Sequence, residues 1–219
     1  MTGYSRAAYF FNPAEKEDIE AATRAAESRT IGEIAVMVVD ASSRYREAEV
    51  FGGITLSNII AFLVTVFFFH ESIWWYVPLT FIFFFPSWFL FRKIPALKIH
   101  FVGQARRELA VRGRAFRAFY EKGLYRTAGS TGVLFFISII ERKVWVLADK
   151  GIYEKITQDR LNSFAKAVSE GIRHGRAADA LTNAIQEAGE LLRKHFPIQE
   201  GDTNELPDAI LIESKPDDD

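Results

Sequence analysis

Two carboxylates and one glycine-rich turn are the parts of this chain best suited to chemistry. Glu33 opens an Ile/Val-rich run, Asp149 closes another, and Arg126-Thr127-Ala128-Gly129-Ser130-Thr131-Gly132 stands between them, with Lys150 directly after Asp149. Carboxylate oxygens ligate hard divalent cations, and backbone N–H groups freed by glycine make anion-binding concavities beside Arg and Lys. Glu33 and Asp149 are therefore candidate metal-holding or catalytic residues. Arg126, Thr127, Ser130, Thr131, Gly132 and Lys150 are candidate binding residues for a metal-bound or phosphate ligand. The alternative is structural: Glu33 and Asp149 accept hydrogen bonds from strand-end and turn amides, or pair with Arg126.

Other chemistries find no support. The chain has no Cys, which removes thiolate catalysis, disulfides and Cys-based metal sites, and permits a reducing compartment. It contains no phosphate-binding G-x-x-x-x-G-K-[ST], no G-x-G-x-x-G after a strand, no G-x-S-x-G and no H-E-x-x-H. The four histidines, His70, His100, His174 and His195, are too scattered to suggest a shared metal. Nothing resembles a nucleic-acid module with base-stacking aromatics, so no nucleic-acid partner is expected.

The elements that must position the carboxylates follow from patterning. Asn12-Pro13 reads as a capped helix start, and Ile19, Ala22 and Ala26 recur at helical spacing to about Arg29. Ile31 to Val39, apolar on both faces apart from Glu33, suits a buried strand. Ala96 to about Glu121 reads as one helix of about 38 Å at 1.5 Å per residue. Val133 to Ile140 and Lys143 to Ala148 form an antiparallel hairpin turning at Glu141-Arg142. Two more helices follow through Leu161, Phe164, Val168 and Ile172, then Leu181, Ile185, Ala188 and Leu192. A helical crossover makes the first two strands parallel. The expectation is an α/β fold: a small mixed sheet of about three strands covered by helices, with Glu33, the 126–132 turn and Asp149-Lys150 gathered at one end.

Between the first strand and its crossover lie two uncharged apolar runs, Val50 to Phe69 and Ser72 to Phe91, separated only by His70-Glu71. Each is about 20 residues long, which at 1.5 Å per residue matches the roughly 30 Å hydrocarbon core of a bilayer. Eleven of the twenty Phe lie between Phe51 and Phe91. A transmembrane helical hairpin is expected, with Pro78 and Pro86 kinking its second span and Trp74, Trp75 and Tyr76 at an interface. The competing reading is a pair of core helices in a soluble fold. Lys and Arg flank the spans and are missing from the turn, so both termini are expected in the cytoplasm and the turn outside. The first thirteen residues lack a continuous apolar region and do not read as a cleaved signal peptide.

The expected organisation is residues 1–49, helix and first strand; 50–91, the hairpin; 92–196, the rest of the domain; and 197–219, an acidic tail disordered from Glu213. Net charge is −1, but Arg92 to Arg126 holds ten Lys/Arg against two Glu, and Phe196 to Asp219 holds one Lys against eight acids. The basic segment reads either as an anionic-lipid contact or as a solvated helix face.

At these motifs the chain resembles the TPM domain family, in particular its bacterial membrane-bound branch with a two-helix insert. The matching stretches are Arg29-Thr30-Ile31-Gly32-Glu33-Ile34, Tyr45-Arg46, Gly123-Leu124-Tyr125-Arg126-Thr127, Thr131-Gly132-Val133-Leu134, Glu141-Arg142-Lys143-Val144, Ala148-Asp149-Lys150-Gly151-Ile152 and Gly201 to Asp208. The resemblance implies an αβαββαα sandwich in the bacterial inner membrane, and a tail at Asn204 to Asp208 that docks on the domain. Plant relatives are associated with acid phosphatase activity and photosystem repair, and some soluble bacterial relatives look like calcium binders. Those often carry Asp-Asn where Ser130-Thr131 stand here. The readings that follow are a scaffold or assembly and quality-control factor for membrane proteins, a phosphomonoesterase or calcium-binding domain using Glu33 and Asp149, and a sensor of anionic lipid through Arg92 to Arg126.

Overall fold

Asn12 starts the first helix by a reciprocal cap. Its side-chain oxygen accepts from the Glu15 amide at 2.9 Å, and the Glu15 carboxylate accepts from the Asn12 amide at 2.7 Å. With Pro13 at the first helical position, α1 runs Pro13–Glu27. In the computed structural model, residues 5–69, 73–199 and 204–213 are described. The chain divides into two units, Met1–Ser43 with Glu108–Asp219, and Arg44–Arg107.

The first unit is built on a four-stranded sheet in the order β3-β2-β1-β4. Strand β1 (Glu33–Val39) pairs in parallel with β2 (Gly132–Ser138), Glu33 opposite Gly132 and Val39 opposite Ser138. Strand β3 (Lys143–Ala148) returns antiparallel to β2. These are the parallel and antiparallel pairings expected from the element order. The fourth strand, β4 (Leu211–Glu213), was not legible, and it places Glu213 in the sheet rather than in a disordered end. It forms because β1 has a free edge: Met37, Val38 and Val39 pair in parallel with Leu211, Ile212 and Glu213. The disorder expected beyond it falls on 214–219, outside the described residues.

Alternation splits the strands between two cores. Ile34, Val36, Val38, Val133, Phe135 and Ile137 pack with Ile19 and Ala22 of α1, Leu161 and Phe164 of α7 (Gln158–Arg173), and Leu181 and Ile185 of α8 (Ala177–His195). Ala35, Met37, Leu134, Phe136 and Leu147 pack with Val111, Ala115, Ala118 and Phe119 of the crossover helix. Both faces are covered, so every residue of β1 and β2 is buried.

In the second unit, α2 (Arg46–Phe68) and α3 (Ile73–Lys93) pack against each other, and α3 runs through Pro78 and Pro86. The His70-Glu71 turn lies outside the described residues. Both helices are long and apolar enough to cross a membrane. The single helix expected from Ala96 to Glu121 is instead two, α4 (Pro95–Lys98) and α5 (Gln104–Glu121). The chain turns between them, where the Phe101 amide bonds the Lys98 carbonyl at 2.9 Å and the Phe101 ring packs edge-on against Phe91.

Candidate functional site

Four acidic or amide side chains gather where β1 begins. Glu27 ends α1, Glu33 opens β1, and Asn204 and Asp208 belong to the segment that leads into β4. The Glu27 carboxylate accepts from the Ile34 amide at 2.7 Å, and Glu33 Oε1 accepts from the Glu205 amide at 3.1 Å. Asp208 accepts from Arg24 Nε at 2.9 Å and from Asn204 Nδ2 at 2.6 Å, while Asn204 Oδ1 accepts from the Leu206 amide at 3.1 Å. The Asn204 to Asp208 stretch thus docks on the domain.

Electrostatics set the protonation of this cluster. Glu27 is 8 % exposed, and its Oε2 is buried with no donor to serve it. Burial pushes its carboxyl up to about 8; the Ile34 amide opposes the shift, and the negative charge of Glu33 and the bond to Asp208 add to it. Burial alone would raise Asp208 too, but hydrogen bonds from Arg24, Asn204 and Glu27 outweigh it and hold that carboxyl below the usual range. Glu27 thus keeps its proton well above the usual carboxylate range, while Asp208 gives its proton up below it.

Asp149 lies elsewhere. Its Oδ1 accepts from the Lys150 amide at 2.7 Å, capping the short helix α6 (Lys150–Tyr153). Glu33 on β1 and Asp149, one residue past β3, flank Gly132, which puts their Cα atoms about 10 Å apart at the usual strand spacing. Gly132 is pinned under the Leu124 carbonyl, which a Cβ there would approach to 2.5 Å. Among the described residues no group of three or more His, Asp or Glu could hold a metal ion.

The other residues singled out from the sequence are distributed around this end of the sheet. Thr127 and Thr131 are buried; Thr127 Oγ1 accepts from the Thr131 amide at 3.0 Å, and Thr131 Oγ1 donates to the Ile31 carbonyl at 2.9 Å. Ser130 follows Gly129 in a left-handed turn, with φ of 55° and 74°. The pair sits against α6: a Cβ at Gly151 would meet the Gly129 carbonyl at 2.5 Å. Arg126 and Lys150 are exposed, and the Arg126 guanidinium lies over the Tyr125 ring.

Sequence reasoning missed Glu27, Arg24 and Asp208. The signal for Glu27 was present: Ile19, Ala22, Thr23, Ala26 and Glu27 form the buried stripe of α1, so an acid stood on the apolar face. At the opposite end of the sheet a second buried network also escaped notice. Glu141 is 3 % exposed and accepts from the Ser42 amide at 2.9 Å and from the Ser138 hydroxyl, which in turn accepts from the Ser42 hydroxyl at 2.9 Å.

This architecture is an α/β sandwich: a mixed sheet with α1, α7 and α8 on one face and α5 on the other. A family model for the TPM domain matches residues 99–191, so that stretch of the chain is similar to the TPM domain family. The match contains β2, β3 and α7 but not β1 or the tail, so the Glu27/Glu33/Asp208 cluster is assembled from residues outside it. The NMR structure of BA42 protein from the psychrophilic bacterium Bizionia argentinensis is similar at 20 % identity and a TM-score of 0.59, covering 93 % of this chain and 96 % of that one. That likeness shows the fold. No curated protein matches the chain.

Proposed function

We propose that this is a membrane-anchored TPM domain whose α2–α3 hairpin crosses a bacterial inner membrane and whose sheet-bearing unit is a scaffold, or an assembly and quality-control factor, for membrane proteins. The carrying observation is the way the hairpin sorts its side chains. Small and polar residues face inward on α2: Ala48, Gly52, Gly53, Ser57, Ala61 and Thr65. Large apolar residues face outward, with Phe67 76 %, Phe81 69 % and Phe85 66 % exposed. A soluble helix pair sorts the other way, whereas small residues between helices and large ones toward lipid are what membrane packing favours. Gly53 brings α2 against the α3 backbone, its missing Cβ position being 3.1 Å from Trp88 Cα, and Tyr76 donates to Asn58 Oδ1 across the pair at 2.6 Å.

A scaffold role is favoured over a phosphomonoesterase because Glu33 Oε1 and Asp149 Oδ1 each accept from an amide of the chain's own backbone. Two experiments test the reading. The chain has no Cys, so Glu71→Cys and Gln186→Cys are single reporters; a membrane-impermeant maleimide should label the first in intact cells and the second only after permeabilisation. Recovery of the full chain as a detergent-free soluble monomer would overturn the anchor. Hydrolysis of p-nitrophenyl phosphate with calcium, magnesium or manganese, abolished by Glu33→Gln or Asp149→Asn with the fold intact, would replace the scaffold by the enzyme. Stoichiometric membrane proteins co-purifying with an inactive wild type support the scaffold.

A further inference from the structure

Helix α5 is apolar on two sides, and only one of them is used by the sheet. Val111, Ala115, Ala118 and Phe119 are buried in the second core. On the outward side Leu109 is 65 %, Phe116 40 % and Tyr120 61 % exposed, a single stripe at seven- and four-residue steps, continued just past the helix by Tyr125 at 39 %. Bare aromatic and aliphatic surface of this kind marks a docking face.

The charges beside the stripe identify what docks. Arg112, Lys122 and Arg126 are exposed on this stretch of chain. The Arg112 guanidinium lies 5.6 Å from the Phe116 ring centre and 5.9 Å from that of Trp145, and Arg126 lies 5.2 Å from the ring of Tyr125. The two acids of this stretch already have cationic partners inside the domain, Glu108 with Lys143 at 3.2 Å and Glu121 with Arg114 at 3.1 Å. The face therefore presents cations and rings together. Rings of this type enter the boundary between head groups and acyl chains while guanidinium groups meet lipid phosphates.

Chain connectivity supplies the surface. Ten residues, 94–103, separate the end of α3 from the start of α5, a reach of about 35 Å at most even if fully extended. If α3 crosses the bilayer, α5 cannot leave the neighbourhood of its head groups. We propose that the Leu109/Phe116/Tyr120/Tyr125 face of α5, with Arg112, Lys122 and Arg126, rests on the anionic lipid surface of the membrane in which the hairpin is anchored. The proposal rests on the membrane-anchored reading and specifies which face of the sheet-bearing unit meets the bilayer.

The test uses the full chain in lipid nanodiscs of phosphatidylcholine alone or with phosphatidylglycerol. A single Tyr120→Cys carries an environment-sensitive fluorophore, and Gln186→Cys on α8, in the helical layer on the other face of the sheet, is the control. Quenching by lipids brominated near the glycerol end should be about threefold stronger at position 120 in the anionic discs than in the neutral ones, and should weaken in about 0.5 M salt. It should also fall in an Arg112→Glu/Lys122→Glu variant, while position 186 stays unquenched throughout. A chain that enters the discs but shows equal, weak quenching at 120 in both lipids overturns this inference and leaves the anchor standing. Failure to enter discs of either composition overturns both. Shielding of position 120 in lipid-free detergent that rises with protein concentration assigns the face to a second copy of the chain and overturns the lipid assignment.

Discussion

Arg114 of α5 and Glu213 of β4, 99 positions apart, form an ion pair that fastens the last described strand to the crossover helix. The guanidinium is 1 % exposed and also donates to Glu121 at 3.1 Å. Together with the Asp208 cluster it holds both ends of the segment that completes the sheet.

Removing Arg114 therefore loosens the strand as well as the core. Arg114→Ala should cost about 3–5 kcal/mol, because truncation leaves a void and strips Glu213 of its buried partner. Arg114→Met keeps the volume and should cost less, since Glu213 retains partial access to water. Urea unfolding of the full chain in detergent measures both; equal, sub-kcal effects would mean that β4 is not held by this pair.

The Glu27–Asp208 pair gives stability a pH dependence of unusual sign for a carboxylate. Glu27 titrates near 8 when folded against 4.5 when free, so the native state retains a proton that the unfolded chain has released. Its contribution is complete below about pH 4.5 and is lost as pH rises toward about 8. Asp208, held low, acts oppositely, contributing above its ordinary value of 3.8 and losing that contribution in acid. The charged groups facing Glu27 are Glu33 on β1 and Asp208 on the tail, with Arg24 behind Asp208. Glu27→Gln, which keeps a donor toward Asp208, should flatten the loss between about pH 5 and 8 and be more stable than wild type at the upper end, on the order of 2–4 kcal/mol. Parallel pH profiles for the two proteins would show that burial does not raise the Glu27 carboxyl.

Two glycines should respond oppositely to alanine. At Gly113 in α5 a Cβ meets nothing within 4 Å, so Gly113→Ala should stabilise by about 0.5–1 kcal/mol through helix propensity. At Gly151 a Cβ would lie 2.5 Å from the Gly129 carbonyl and 2.7 Å from that of Ser130. Backbone must move there, and Gly151→Ala should destabilise by about 1–3 kcal/mol. Thermal midpoints shifting in the same direction would contradict the packing described.

The buried Ser42–Ser138–Glu141 network should be intolerant of partial removal. Ser138→Ala deletes the hydroxyl that links Ser42 to Glu141 and should cost about 1–3 kcal/mol, the usual penalty for orphaning buried polar partners. A double-mutant cycle with Glu141→Gln would show coupling; strict additivity would argue that the groups act independently.

Much of this molecule was legible because its signals are local. The Asn12-Pro13 cap, the two 20-residue apolar runs, the hairpin around Glu141-Arg142 and the stripes of α7 and α8 each reside in a short window where backbone propensity and hydrophobic period agree. The parallel pairing of β1 and β2 also followed, since a helical crossover allows little else. The break at Ile99 to Gly103 was hidden because Leu97, Phe101 and Ala105 keep helical spacing across it.

The sequence by itself determined the three longer strands, most of the helices and their apolar faces, and that two helices have membrane length. Only the tertiary structure decided that Leu211-Ile212-Glu213 is a strand, that Glu33 serves the tail and Asp149 caps α6, and that Glu27 is buried beside Glu33 and Asp208 with its proton affinity raised. The reason is physical: three residues carry too little pattern to declare a strand until an open edge such as that of β1 offers them partners. A carboxyl's partners and charge state depend in the same way on neighbours that the fold brings from far along the chain.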